Sequence, residues 1–134
     1  MRDILSDFEG LAAYLKASDE GYLPALLSYY IKLGEGRGFT TVEGAQVISG
    51  SYDYGKVDLA WVEPNMMFCF EFGNLDDIYR HLFRFMVAAP SLGVLILSSK
   101  SKCKPQTVRD IIEATPQLKK RDIAIVDVGS MTLL

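Results

Sequence analysis

The chain has 134 residues, 49% of them apolar, with a formal net charge of −3 and a pI near 5.1. That balance excludes a disordered chain and predicts one domain, residues 1–134, with a real core. No apolar run approaches the roughly 20 residues of a membrane helix. The acidic start MRDILSDFEG carries no signal-peptide pattern, so a cytoplasmic protein is expected. The acidic pI argues mildly against a dedicated nucleic-acid binder. Two cysteines without CxxC spacing, Cys69 and Cys103, and a single histidine, His81, argue against a zinc site.

Apolar residues at 4, 5, 8, 11, 12 and 15 predict a helix over 3–17, weakened by Gly10. After the break at 18–21, a second helix is predicted over 22–33, with Pro24 tolerated in its first turn and Gly34 as its C-cap. The glycines of GEGRG, 34–38, invite a phosphate-loop reading. That loop needs a strand before it and a helix after it, and here the order is reversed, so a flexible connection is expected. Residues 40–48 read as a first strand, with Gly44 marking a bulge, and 49–56 as a turn-rich link.

Residues 57–73, VDLAWVEPNMMFCFEFG, are the stretch on which the rest depends. Period-two alternation predicts two strands folded back at Pro64-Asn65. Val57, Leu59 and Trp61 share one face, and Asp58, Ala60 and Val62 the other. Met66, Phe68, Phe70 and Phe72 alternate with Met67, Cys69 and Glu71. A turn centred on 64–65 sets Asp58 across from Glu71 and Ala60 across from Cys69, with opposed Cβ atoms about 4.5–5.5 Å apart. Like charges so placed are unfavourable unless a cation or a proton relieves them, which points to a divalent-metal site. The plainer reading leaves both acids facing solvent.

Asn74 is a cap for a helix over 75–88, with Asp76 and Asp77 at the positive end of its dipole. Leu75, Ile78, Tyr79, Leu82, Phe83 and Met86 form its apolar stripe, and Arg80, His81 and Arg84 lie opposite. His81 is either a general base or, more ordinarily, a solvated residue paired with Asp77. Arg80 and Arg84 either contact phosphates or, the favoured reading, pair with Asp76 and Asp77. GVLILS, 93–98, and IAIVDV, 123–128, are apolar runs typical of buried parallel strands, separated by a loop, KSKCKP, and a short helix over 106–114. Lys100, Lys102 and Lys104, and the run Lys119, Lys120, Arg121, read by themselves as solvated loop charge. The whole predicts an α/β fold in the order α-α-β-β-β-α-β-α-β, with a mixed central sheet flanked by helices.

Gly55-Lys56-Val57-Asp58-Leu59, then Glu71-Phe72-Gly73-Asn74, a helix carrying Arg80, Arg84 and Phe85, and Gly93-Val94-Leu95-Ile96 follow one another within an α-β-β-β-α-β order. From residue 22 to about 98 this resembles the PD-(D/E)xK nuclease superfamily, in particular restriction endonucleases of the BamHI and BglII kind, some of which carry an E-F-G-N run at this point. The resemblance implies a restriction-endonuclease-like αβββαβ core with an added C-terminal helix and strand. It implies metal-dependent phosphodiester hydrolysis on DNA by a homodimer. Asp58 and Glu71 would hold Mg²⁺ or Mn²⁺, and the metal would acidify the attacking water.

The sequence departs from the family where its catalytic lysine is usual, because Gly73 stands there. In the Glu-x-Glu variant of the motif Glu71 becomes the third group and the second acid falls on Cys69, a poor ligand for a hard cation. A lysine from elsewhere can serve: Lys100 or Lys102 at the end of the next parallel strand, or Lys56 beside Asp58. Lys100 is taken as the catalytic candidate, Lys102 and Lys104 as nucleic-acid contacts, and Glu43 as a possible further acid. The alternative is a catalytically inactive nuclease-fold module that binds nucleic acid or a protein partner. A third reading, favoured by the acidic pI, is an interaction domain with no nucleic-acid role.

Overall fold

The apolar runs and period-two stretches assemble into one six-stranded sheet, in a computed structural model that describes residues 1–134. A 3-10 turn, Arg2–Ser6, precedes α1 (Phe8–Ala17) and α2 (Tyr22–Gly36). Then come β1 (Thr41–Ser49), β2 (Tyr52–Trp61), β3 (Met66–Phe70), α3 (Leu75–Ala88) and β4 (Leu92–Leu97). The chain closes with α4 (Pro105–Ala114), α5 (Pro116–Lys119), β5 (Ile123–Asp127) and β6 (Thr132–Leu133). The strands lie side by side in chain order, β1 to β6. β1, β2 and β3 form an antiparallel meander, β3, β4 and β5 run parallel, and β6 is antiparallel to β5. This is the expected mixed α/β sheet flanked by helices; α5 and β6 are additional to the expected elements. No helix is long and apolar enough to cross a membrane.

The alternation along β3 sorts its side chains into two cores. Met66 and Phe68 pack with α1 and α2 through Leu11, Leu26 and Tyr30, whereas Cys69 packs with α3 and α4 through Ile78, Leu82, Val108 and Ile112. Both faces of β4 and β5 are covered, which is why those strands read as unbroken apolar runs. Each fully buried aliphatic or aromatic side chain contributes about 1.5–3 kcal/mol relative to exposure. On α3 the buried stripe is Ile78, Leu82 and Phe85, and the expected stripe members Tyr79 and Phe83 are about half exposed. Asn74 caps α3 as expected, accepting the Asp77 N–H at 3.1 Å.

Five local expectations are corrected. The helix expected over 3–17 is interrupted because the Asp7 carboxylate accepts the Gly10 N–H at 2.9 Å and starts α1 afresh at Phe8. Gly34 does not end α2; the helix runs to Gly36, and Gly34 is buried against the Trp61 indole. The supposed link 49–56 is a tight turn at Gly50-Ser51 followed by strand from Tyr52. The register shift falls between Gln46 and Ile48, where Tyr54 and Gly55 oppose Val47, rather than at Gly44. The β2–β3 loop spans residues 62–65, with Asn65 left-handed at φ 53°, and pairs Trp61 with Met66 and Ala60 with Met67.

That last register is two residues from the expected one. A slip of two keeps each β3 residue on its face but changes its partner. The paired ladder ends at Leu59 and Phe68, so Asp58 is not set across from Glu71. Val57 joins the core beneath α3, while Leu59 and Trp61 join the other, so the expected shared face of these three residues does not hold.

Candidate functional site

At Asp58 the regular pairing of β2 with β3 has stopped, and a side chain takes over. Asp58 Oδ2 accepts the Phe70 N–H at 2.8 Å, in place of a backbone carbonyl. One residue beyond β3, the Glu71 N–H donates to the Ile96 carbonyl at 3.1 Å, so the backbone still follows β4. The Glu71 carboxylate is doubly engaged: Oε2 accepts the Gly73 N–H at 2.9 Å and Oε1 lies 3.2 Å from His81 Nε2. Gly73, where a lysine was sought, folds back so closely that a Cβ there would lie 2.8 Å from Glu71 Oε2.

His81 is neither solvated nor paired with Asp77. Its Nδ1 is 3.1 Å from Arg84 Nη1, and Asp77 instead pairs with Arg80 at 3.0 Å. A guanidinium has no acceptor, so His81 Nδ1 accepts from Arg84 and Nε2 carries the proton donated to Glu71. Arg84 Nε in turn donates to the Tyr54 carbonyl at 2.6 Å, so this arginine pairs with neither Asp76 nor Asp77. Gly55, at φ 92°, makes this possible: a Cβ there would stand 2.7 Å from Arg84 Nη2. The result is a polar chain from β2 through α3 to Glu71, with the His81 and Glu71 side chains each 13% exposed.

Asp58 and Glu71 line one open cleft of about 560 Å³ with Leu23, Pro24, Leu27, Phe70, Phe72 and Gly73. Both acids border this cleft, though not as the expected cross-strand pair. No lysine lines that cleft: Lys56 pairs in register with Gln46 of β1, and Glu43, on the same strand, pairs with Leu59. Lys100 and Lys102 are exposed on the loop after β4, and their ammonium groups have no protein partner; Lys104 Nζ donates to the Ser99 carbonyl at 2.7 Å. No group of three or more His, Cys, Asp and Glu side chains gathers in a metal-holding arrangement. Both Glu71 oxygens and one Asp58 oxygen accept hydrogen bonds from the protein.

Both cysteines are buried. Burial first, and then the negative charges of Asp58 and Glu71, push the Cys69 thiol up; burial and Glu71 do the same to Cys103. The two thiols are therefore protonated at neutral pH and inaccessible. Neither should react with Ellman's reagent in the native protein, and both should titrate in urea; rapid labelling of the folded chain would refute this burial.

Sequence reasoning missed a second polar node at the same edge of the sheet. Asp127 ends β5 and is 4% exposed. Its carboxylate accepts from Ser99 N at 2.8 Å, Gly129 N at 2.9 Å, Ser130 N at 3.2 Å and Ser130 Oγ at 2.7 Å. It thereby ties the loops that follow β4 and β5 together. The pattern Asp127-Val128-Gly129-Ser130 is an Asx-turn signal and was legible; the bond to Ser99 was not. Comparison of the chain with family models, with curated protein sequences and with solved structures finds no match.

Proposed function

We propose that the chain is a nucleic-acid-binding module of nuclease-like architecture whose acidic cleft does not cut. The observation that carries this reading is the β2–β3 register. It pairs Leu59 with Phe68, two residues from the register that would set Asp58 across from Glu71, and the residue two before Glu71, where the Glu-x-Glu form of the motif needs its second acid, is the buried Cys69. Glu71 then stands in the third position, held by His81 and Gly73 rather than free to act on water. A thiol is a poor Mg²⁺ ligand, and a buried, protonated one is poorer still. Binding is supported by Lys100 and Lys102, two unpaired exposed ammonium groups on the loop after β4. β4 is the strand to which Glu71 is hydrogen-bonded.

Two assays on the same preparation test the reading. Fluorescence anisotropy with DNA and RNA oligonucleotides should show binding that weakens steeply with salt. The Lys100→Ala/Lys102→Ala variant should lower the slope by about 1 per lysine. Plasmid DNA with Mg²⁺ or Mn²⁺ should stay intact. Metal-dependent nicking by the wild type, abolished in Asp58→Ala, would instead establish a hydrolase using Asp58 and Glu71, and a homodimer would be the form able to cut both strands. A folded protein that binds neither DNA nor RNA would leave a protein-interaction domain.

A further inference from the structure

A second cleft, of about 530 Å³, opens between β2 and α3 and is lined by Tyr52, Asp53, Tyr54, Arg80, Phe83 and Arg84. Large aromatic residues exposed to solvent are concentrated here. Tyr52 is 64% exposed and Phe83 50%, with Tyr79, one turn before Phe83 on α3, at 49%. The rings are not scattered. Tyr54 and Phe83 stack at 5.7 Å with 23° between their planes, and Tyr52 meets Tyr54 edge-on at 4.7 Å. Together they form a stepped apolar surface bridging β2 and α3.

The charges around it are fixed to different degrees. Arg84 is rigid, held by the Tyr54 carbonyl and by His81. Arg80 is exposed and its one partner is Asp77, an exposed pair of small net worth that a phosphate can displace. Asp53 also lines the cleft, but both of its oxygens are occupied, by Gln46 Nε2 and by Gly55 N–H. Negative charge is therefore disfavoured along β2 and accommodated along α3, beside Arg80.

We infer that this aromatic–arginine cleft is a stacking site for single-stranded nucleic acid, with unpaired bases on Tyr52, Tyr54 and Phe83 and the sugar-phosphate backbone passing Arg80. The inference rests on the nucleic-acid reading above and narrows it. Bases in a duplex already cover one another's faces, whereas a single strand offers them to protein rings, and an arginine beside the rings meets the phosphate. Stacking uses the flat face that every base has, so binding should be tolerant of sequence.

Anisotropy titrations with labelled oligo-dT and with a duplex of the same length test it, using the wild type, Tyr52→Leu, Phe83→Leu and Arg80→Ala. Leucine keeps an apolar side chain and removes the ring, and exposed sites tolerate the change, which matching urea midpoints would verify. The single strand should bind more tightly than the duplex. Each ring removal should weaken single-strand binding by roughly tenfold or more and leave duplex binding unchanged. Arg80→Ala should reduce the salt dependence by about one phosphate contact. Unaltered single-strand affinity in both leucine variants, or equal affinity of wild type for the two substrates, would overturn the stacking site. If Lys100→Ala/Lys102→Ala still lost binding in that case, the nucleic-acid reading would stand. No binding of either substrate by folded wild type would remove both.

Discussion

Gly34→Ala is expected to lower the stability of the fold by about 3 kcal/mol, although alanine favours a helix. A Cβ at this position would lie 2.5 Å from Trp61 Nε1 and 2.8 Å from Cε2, inside any possible contact distance. Trp61 has no room to retreat. It is fully buried and packs on Phe39 and Phe68, and its Nε1–H donates to the Tyr30 carbonyl at 3.1 Å. Overpacking a core costs about 1–3 kcal/mol, and stranding a buried N–H costs a similar amount. Better helix propensity returns only about 1 kcal/mol. Urea midpoints measure the loss. The control is the same substitution in a Trp61→Phe background, where the smaller ring leaves space for the methyl group. Gly34→Ala should cost clearly less there, and an equal loss in both backgrounds would show that the indole contact is not the cause.

Asp127→Ala should be the most damaging single removal of charge, at about 2–3 kcal/mol near neutral pH. Three backbone N–H groups and one hydroxyl lose their acceptor together, and two loops lose their tie. Burial by itself would raise the Asp127 carboxyl, but the hydrogen bonds from Ser130 and Ser99 outweigh it and hold the group below the usual carboxylate range. A depressed native pKa means that the unfolded chain binds the proton first as pH falls. The contribution is therefore complete above about pH 4, the unfolded value, and is lost as pH drops through the lower native value. Urea midpoints taken from pH 7 down to pH 2 should show the wild type converging on Asp127→Asn in the acid range. Parallel curves separated by a constant amount would contradict the linkage.

Much of the scaffold was legible because its signals are local. Asn74 with the acids behind it announced α3, and the apolar runs at 93–98 and 123–128 announced two strands covered on both faces. Alternation told which β3 side chains look which way, but not how far the strand has slid along its neighbour. That depends on loop geometry, here a left-handed Asn65 and a Val62 carbonyl accepting the Asn65 N–H at 3.1 Å. Asp58 and Glu71 line one cleft without being paired across the strands. Gly34 misled because a glycine near a helix end usually stops the helix; the tryptophan that requires it lies 27 positions away. His81 misled in part for the same reason, since one partner, Glu71, lies ten positions back and outside α3; the other is Arg84 one turn on, not Asp77. Nothing along the chain announced that Tyr52 and Phe83 would share a cleft.

The first of the two cores has a consequence for how the protein is made. It joins Leu5, Leu11 and Leu26 to Ala124, Val126 and Val128, and Arg2 is paired with Asp122. During synthesis the meander β1–β2–β3 can pair as soon as it clears the ribosome, since its strands are neighbours in time as well as in space. The helices that left the ribosome before it cannot complete their packing, because part of their partner surface, Ala124 to Val128, is translated only near the end of the 134 residues. Until then the nascent chain holds an apolar helical pair without its full cover, the kind of surface that chaperones engage and that aggregation exploits.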